Sequence, residues 1–295
     1  MDDAHYPELF RTADGNAAVG QRKFLVSTIL RLASLVTAAV FGTFSIDHGQ
    51  VNIAALITGS ALAVALVVEV YLLTARPDRH WYEARAAAES TKSLAWRYIV
   101  GGQPFALEGG PGDADSLLLK RMMHIVAHLR GFTPVPPPED GEAVTAEMRR
   151  IRGLSLKDRQ AFYRRGRIQD QRGWYRSRTL RNERSAVGWS VLLASIEAVG
   201  LIAAVLGAAQ IIELDVPGIV GALAVAGIAW TQTKQYRQVA QSYAVTAFEL
   251  GTIAVEERWP TSEPEWAHFV DETEETISKE HMLWAASHSL EVTGP

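Results

Sequence analysis

Apolar positions collect in four long runs along this chain, and the runs come in two pairs. The first pair covers residues 24–44 and 53–73, joined across 45–52. The second covers 187–211 and 216–230, joined across 212–215. A helix needs roughly 20 apolar residues at about 1.5 Å each to cross about 30 Å of hydrocarbon. The first three runs meet that length. The fourth reaches it with Thr231–Thr233 at the interface or with local thinning of the bilayer, which places its span at about 216–232. The alternative for that run is a buried helix; its pairing with 187–211 favours spanning. The pattern predicts an all-α membrane protein, with four transmembrane helices in two hairpins.

The segments between and beyond the pairs are charged and read as helical. Residues 78–100 follow Pro77, which supplies either a kink or a helix start, and Trp81, Arg85, Ala88, Lys92 and Trp96 recur there at near-heptad steps. A glycine-rich break at 101–112 precedes a shorter helix over 114–130. Residues 132–141, with Pro134 and the run Pro136–Pro138, resist helix and mark the boundary between two halves. The expected organisation is a first hairpin with its helices over 1–131, a Pro-rich linker over 132–144, and a second hairpin with its helices and an acidic tail over 145–295. In the second half, 155–184 is helix-like and basic, with Ser155 and Asp158 resembling an N-terminal capping pair. Tyr236, Val239, Tyr243, Thr246, Leu250 and Ile253 share one face of a helix over 233–258, and 263–290 forms a last helix. Long helices on the same side of the membrane are expected to form a bundle.

Charge fixes the expected orientation. Arg22 and Lys23 precede the first run, Arg76 and Arg79 follow the second, Arg181 and Arg184 precede the third, and Lys234 and Arg237 follow the fourth. Neither connector carries a Lys or Arg; they hold Asp47 and His48, and Glu213 and Asp215. Basic residues near span ends stay inside, so both termini and the middle segment are expected in the cytoplasm of a cell bounded by this inner (plasma) membrane. No cleavable signal peptide is evident, because the first run is too long for a signal h-region. The net charge is only −4, and the chain has no cysteine, which excludes disulfides and Cys-ligated metal.

Candidate chemistry lies inside the spans. Glu197 stands near the middle of the third, where an ionised carboxylate costs on the order of 3 kcal/mol unless paired or wetted. It either lines an aqueous path or acts as hydrogen-bonded structural glue. Glu69 and Arg31 stand at similar depth in the second and first spans and either pair or snorkel. Small residues form packing faces that include Gly42, Gly59, Gly200 and Gly218; these serve intramolecular packing or assembly of copies. His124 and His128 lie one helical turn apart but have no further ligands nearby, so no metal site is expected. The arginines from Arg164 to Arg184 abut a membrane entry and suit anionic headgroups rather than nucleic acid. No nucleotide-binding, protease or hydrolase signature occurs, so neither an enzyme nor a cofactor is expected.

Three stretches carry a family resemblance. Trp81-Tyr82-Glu83-Ala84-Arg85, continuing through Glu89 and Trp96, resembles the segment after the first hairpin of SLATT proteins. Gln171 with Trp174 and Tyr175 resembles the lead into a second hairpin, and Tyr243 with Glu249-Leu250 the helix after it. SLATT proteins are two-transmembrane effectors associated with SMODS nucleotidyltransferases and SLOG sensors, and this chain is similar to their tandem form. The resemblance implies a bacterial membrane effector of defence systems, homo-oligomeric, conducting ions through a pore when a nucleotide-signal sensor protein triggers it. The rival reading is a non-conducting membrane scaffold or sensor that recruits a cytoplasmic partner.

Overall fold

In hydrocarbon each backbone N–H and C=O must be satisfied within the chain, so apolar runs of this length fold as helices. The computed structural model describes residues 6–107, 111–128, 143–211, 215–255 and 259–290. Its helices are α1 (Glu8–Gly42), α2 (Ile53–Ala75), α3 (Pro77–Val100), α4 (Pro111–His128), α5 (Ala146–Arg152), α6 (Leu156–Tyr163), α7 (Asp170–Ala208), α8 (Val216–Lys234), α9 (Tyr236–Val255) and α10 (Glu263–Leu290). A π-helical stretch, Arg164–Gln169, joins α6 to α7. At the tip of the first hairpin, β1 (Asp47–His48) pairs antiparallel with β2 (Val51–Asn52). Four helical stretches are long and apolar enough to cross a membrane, and each covers all or nearly all of one of the four apolar runs. The chain is an all-α, multi-pass membrane protein. The Pro-rich residues 132–142 lie outside the described residues.

Two compact units emerge. A spanning unit comprises Arg22–Pro77 and Thr179–Ala240; a helical unit comprises Met1–Gln21, Asp78–Arg178 and Gln241–Pro295.

The spanning unit reverses the distribution of a water-soluble core. Its large apolar side chains point outward, with Leu66, Val67 and Leu201 all 65–69% exposed, while Ala38, Ala54, Ala61, Ala65, Ala203 and Ala224 are buried. Lipid removes the penalty for the exposed leucines and valines, and small residues let helix backbones approach. Both hairpins use the same joints. Asn52 caps α2 by accepting from the Ala55 N–H at 2.9 Å, and Asp215 caps α8 by accepting from the Gly218 N–H at 3.0 Å. At the other end, α2 stops at Arg76 and α8 at Gln235, each in the left-handed region with φ of 42° and 47°. Their N–H groups donate back to Leu72 and Thr231 carbonyls. A new helix starts on the next residue in each case, so Pro77 opens α3 rather than kinking a continuous rod.

The helical unit is packed like a soluble domain. Tyr6, just before α1, and Phe10, Ala13 and Ala17, on its first turns, join Trp96, Ile99, Phe105, Leu118, Met148, Tyr163, Trp266 and Val270 in one buried cluster. A smaller cluster gathers Tyr175, Leu250 and Ile277. The first turns of α1 and the whole of α5 are helical beyond what the apolar runs indicate. Their amphipathic faces are short, and burial against α3 and α10 stabilises them.

Candidate functional site

Three charged side chains stand within the apolar runs: Arg31, Glu69 and Glu197. Arg31 Nη1 donates to Glu69 Oε2 at 2.5 Å, linking α1 to α2 with both side chains partly exposed. The two charges therefore meet. Glu197 is different. It is exposed on α7, among Val199, Leu201 and Ile202, which also point outward, and it has no hydrogen bond or ion pair among the described residues. α7 packs on α8 through Gly200 and Gly227, where an added Cβ would meet Val220 Cγ1 at 2.8 Å and Leu193 Cδ2 at 2.7 Å. Glu197 lies beside that contact rather than in it. An added Cβ at Gly42 or Gly59 would meet nothing within 4 Å, and one at Gly218 would meet the capping Asp215.

The motif residues of the first half gather where α1 meets α3. A Cβ on Gly20 would approach the Trp81 backbone at 3.0 Å, so the two helices are close there. Arg85 reaches Glu89 at 2.6 Å and Asp14 at 3.4 Å. Trp96 is fully buried; its indole N–H donates to the Tyr6 hydroxyl at 2.7 Å, and its ring packs on Phe162 and Tyr163. Those of the second half gather where α7 meets α9. Trp174, Tyr175 and Tyr243 form a three-ring cluster with centroids 5.0–5.4 Å apart, and Arg178 lies over Trp174. Gln171 is half-buried in the first turn of α7, and Glu249 is exposed on α9.

Beneath these motifs lies a set of buried cations that pattern reading missed. Arg167, in the π-helical stretch, meets Glu274 of α10 in a two-bonded fork, Nε to Oε1 at 2.9 Å and Nη2 to Oε2 at 2.7 Å. The Tyr163 hydroxyl donates to the same Oε1 at 2.9 Å. Both charged side chains are 1% exposed or less. Burial opposes the charge on Arg167, but Glu274 outweighs it and the guanidinium's pKa rises. Burial, reinforced by Glu274, holds the Tyr163 phenol well above its usual value. Tyr98 is raised likewise, first by burial and then by its hydrogen bond to Asp115.

Two further arginines close the C-terminus of α3. Arg152 Nη1 donates to the carbonyls of Tyr98 and Phe105 at 2.6 and 2.8 Å. Arg159 Nη1 and the Trp266 indole N–H both donate to the Val100 carbonyl, at 2.5 and 2.7 Å. Carbonyls at a helix C-terminus carry partial negative charge, so cations are favoured there. Gly101 turns the chain at φ 78°, and any Cβ would strike Arg159 Nη1 at 2.8 Å. One signal in the sequence does point to Glu274. It lies four and eight residues beyond Val270 and Trp266, on the face that also buries Ile277. His124 is exposed on α4, and among the described residues no group of three or more His, Cys, Asp or Glu is placed to hold a metal.

The duplicated joints, Arg76 before α3 and Gln235 before α9, describe one plan used twice, and comparison with known families agrees. The family model for the SMODS and SLOG-associating 2TM effector domain 3 matches residues 7–160, and that for domain 1 of the same name matches 163–284. No curated protein and no solved structure matches the chain. The two matches follow one another almost without a gap and together take in both hairpins with the helices after them, so the chain belongs to the SLATT family of two-transmembrane effector domains, in tandem form.

Proposed function

We propose that the chain assembles into a homo-oligomeric pore or ion channel in the bacterial inner membrane, as the effector of a nucleotide-signalled defence system. Exposed, unpartnered Glu197 carries this reading. A carboxylate left facing lipid near mid-span costs on the order of 3 kcal/mol, whereas a water-filled path between copies removes that cost. Arg31 and Glu69, at similar depth in the first hairpin, already neutralise one another, so the second hairpin holds the charge in need of a partner. The family supports the effector role, and the basic residues flanking all four spans support an orientation with both termini in the cytoplasm. A sensor protein that reads the nucleotide signal would act on the helical unit.

The test is ion flux from liposomes containing the purified chain, with Glu197→Gln in parallel. Discrete currents whose amplitude or ion selectivity changes in the variant are expected. Currents identical in both proteins would remove Glu197 from the conduction path. Correctly inserted protein that stays silent, with purified signal nucleotides and sensor supplied, would favour the scaffold reading.

A further inference from the structure

Outside the spanning unit, large apolar side chains that stand exposed are few among the described residues: Val19, Leu119, Met123, Val245, Phe248 and Val255. Three of the six are on α9. Phe248, 74% exposed, is the most exposed of all the large apolar residues described, and Val255 follows at 71%. Val245, Phe248, Thr252 and Val255 fall at three- and four-residue steps, so they form one stripe along the helix. The opposite face already buries Thr246, Leu250 and Ala254 within the helical unit. α9 is therefore apolar on two sides, as a helix is when both sides are covered.

The flanks of the stripe carry opposite charges. At about 100° per residue, Glu249 lies about 80° to one side of its centre and Gly251 about 80° to the other. Arg172 of α7 lies over Gly251, with Nε 3.4 Å from where a Cβ would be. Neither Arg172 nor Glu249 has an ion pair or side-chain hydrogen bond among the described residues, and both are exposed. An open groove of about 630 Å³ runs between Arg172 and the stripe, lined by Phe248, Gly251, Thr252 and Val255. Glu249 and Gly251 are only two residues apart, about 3 Å along the helix axis. The two charges are thus level with each other across the stripe.

We propose that this face of α9 is where a second copy of the chain docks, stripe against stripe, about a two-fold axis running along the helix. Such an axis carries each flank to the opposite flank of the neighbour. Glu249 of each copy then enters the other's groove and meets Arg172, so both pairs form at once. An anionic lipid surface is the poorer occupant, because it would suit Arg172 and repel Glu249. The proposal rests on the assembly reading above and supplies its contact outside the spans.

The chain has no cysteine, so each introduced one is unique. The full chain in nanodiscs is compared by mass photometry as wild type, Arg172→Glu, Glu249→Arg and the double reversal, with each variant's folding checked by its melting profile. Each single reversal is expected to weaken association about tenfold, and the double to restore it. Phe248→Cys is expected to crosslink between copies with a short bismaleimide. If wild type assembles but neither reversal weakens it and position 248 does not crosslink, the α9 contact is wrong while assembly stands. Single reversals that weaken association without recovery in the double would also refute the pairing. Wild type that stays monomeric at every concentration would remove the assembly reading together with this proposal. A bimane label at 248 quenched by doxyl lipid, with no crosslink, would assign the face to the bilayer and overturn the docking of a copy.

Discussion

Replacing Glu274 with leucine strips the buried guanidinium of Arg167 of both its hydrogen-bonded oxygens and leaves the Tyr163 hydroxyl without its acceptor. Arg167 is 1% exposed, so water does not reach it to compensate. Breaking a buried pair by removing one partner costs about 3–5 kcal/mol, because an uncompensated charge stays in a medium of low polarity. For a unit of about 150–250 residues each kcal/mol moves the melting temperature by about 2–4 °C, so a fall of about 6–20 °C is expected. Thermal unfolding in detergent, followed by tryptophan fluorescence, reads this through Trp266, whose ring meets Tyr163 edge-on at 5.7 Å. Replacing both charges, Arg167→Met with Glu274→Leu, should return most of the loss, since a packed apolar pair has no charge to strand. A single variant that melts within about 3 °C of wild type, or a double no better than the single, would mean that no charge is stranded at Arg167.

Two other outcomes follow from the helical unit. Tyr98 and Tyr163 both have folded pKa values raised above the ordinary phenol value of about 10, so the stability tied to their protons is fully present below about pH 10 and is lost as pH rises toward the folded values. Melting temperatures measured at pH 8 and pH 10.5 should therefore fall, and Tyr98→Phe should flatten the slope; an unchanged slope would contradict the assignment. Gly102→Ala is expected to cost about 1–3 kcal/mol, because its Cβ would lie 2.4 Å from Val270 Cγ1. Adding Val270→Ala should recover part of the melting temperature, and no recovery would place the clash elsewhere.

The spans were legible because lipid imposes a single rule on them. Long apolar runs must be helices, and both ends of α2 and α8 and the C-terminal end of α7 lie within a few residues of where hydropathy puts them. The face of α9 that holds Tyr243, Thr246 and Leu250 is also readable as a three- and four-residue repeat, and it is the face turned inward. What pattern hid was charge that folds inward. Arg159 and Arg167 fall within the basic run 155–184 and Arg152 just before it, yet all three are buried on partners distant in sequence: α3 carbonyls and Glu274. Those partners come together only when α3, α6 and α10 pack, and no local spacing announces that. The first turns of α1 escaped for a related reason. Tyr6 and Phe10 are too few to signal a helix, and they gain their stability from Trp96, far along the chain.

Position 197 offers the most direct test of the conducting-pore claim. In the naturally cysteine-free chain, Glu197→Cys is reconstituted in liposomes beside Val205→Cys, one of the exposed apolar positions of α7. Both are treated with a charged, membrane-impermeant thiol reagent while ion flux is recorded. If Glu197 lines the conducting path, the reagent reacts at 197 and blocks flux, while the same reagent leaves 205 unmodified and conducting. Flux that persists with 197 fully modified, or a 197 thiol that stays unreactive in a conducting protein, would contradict it.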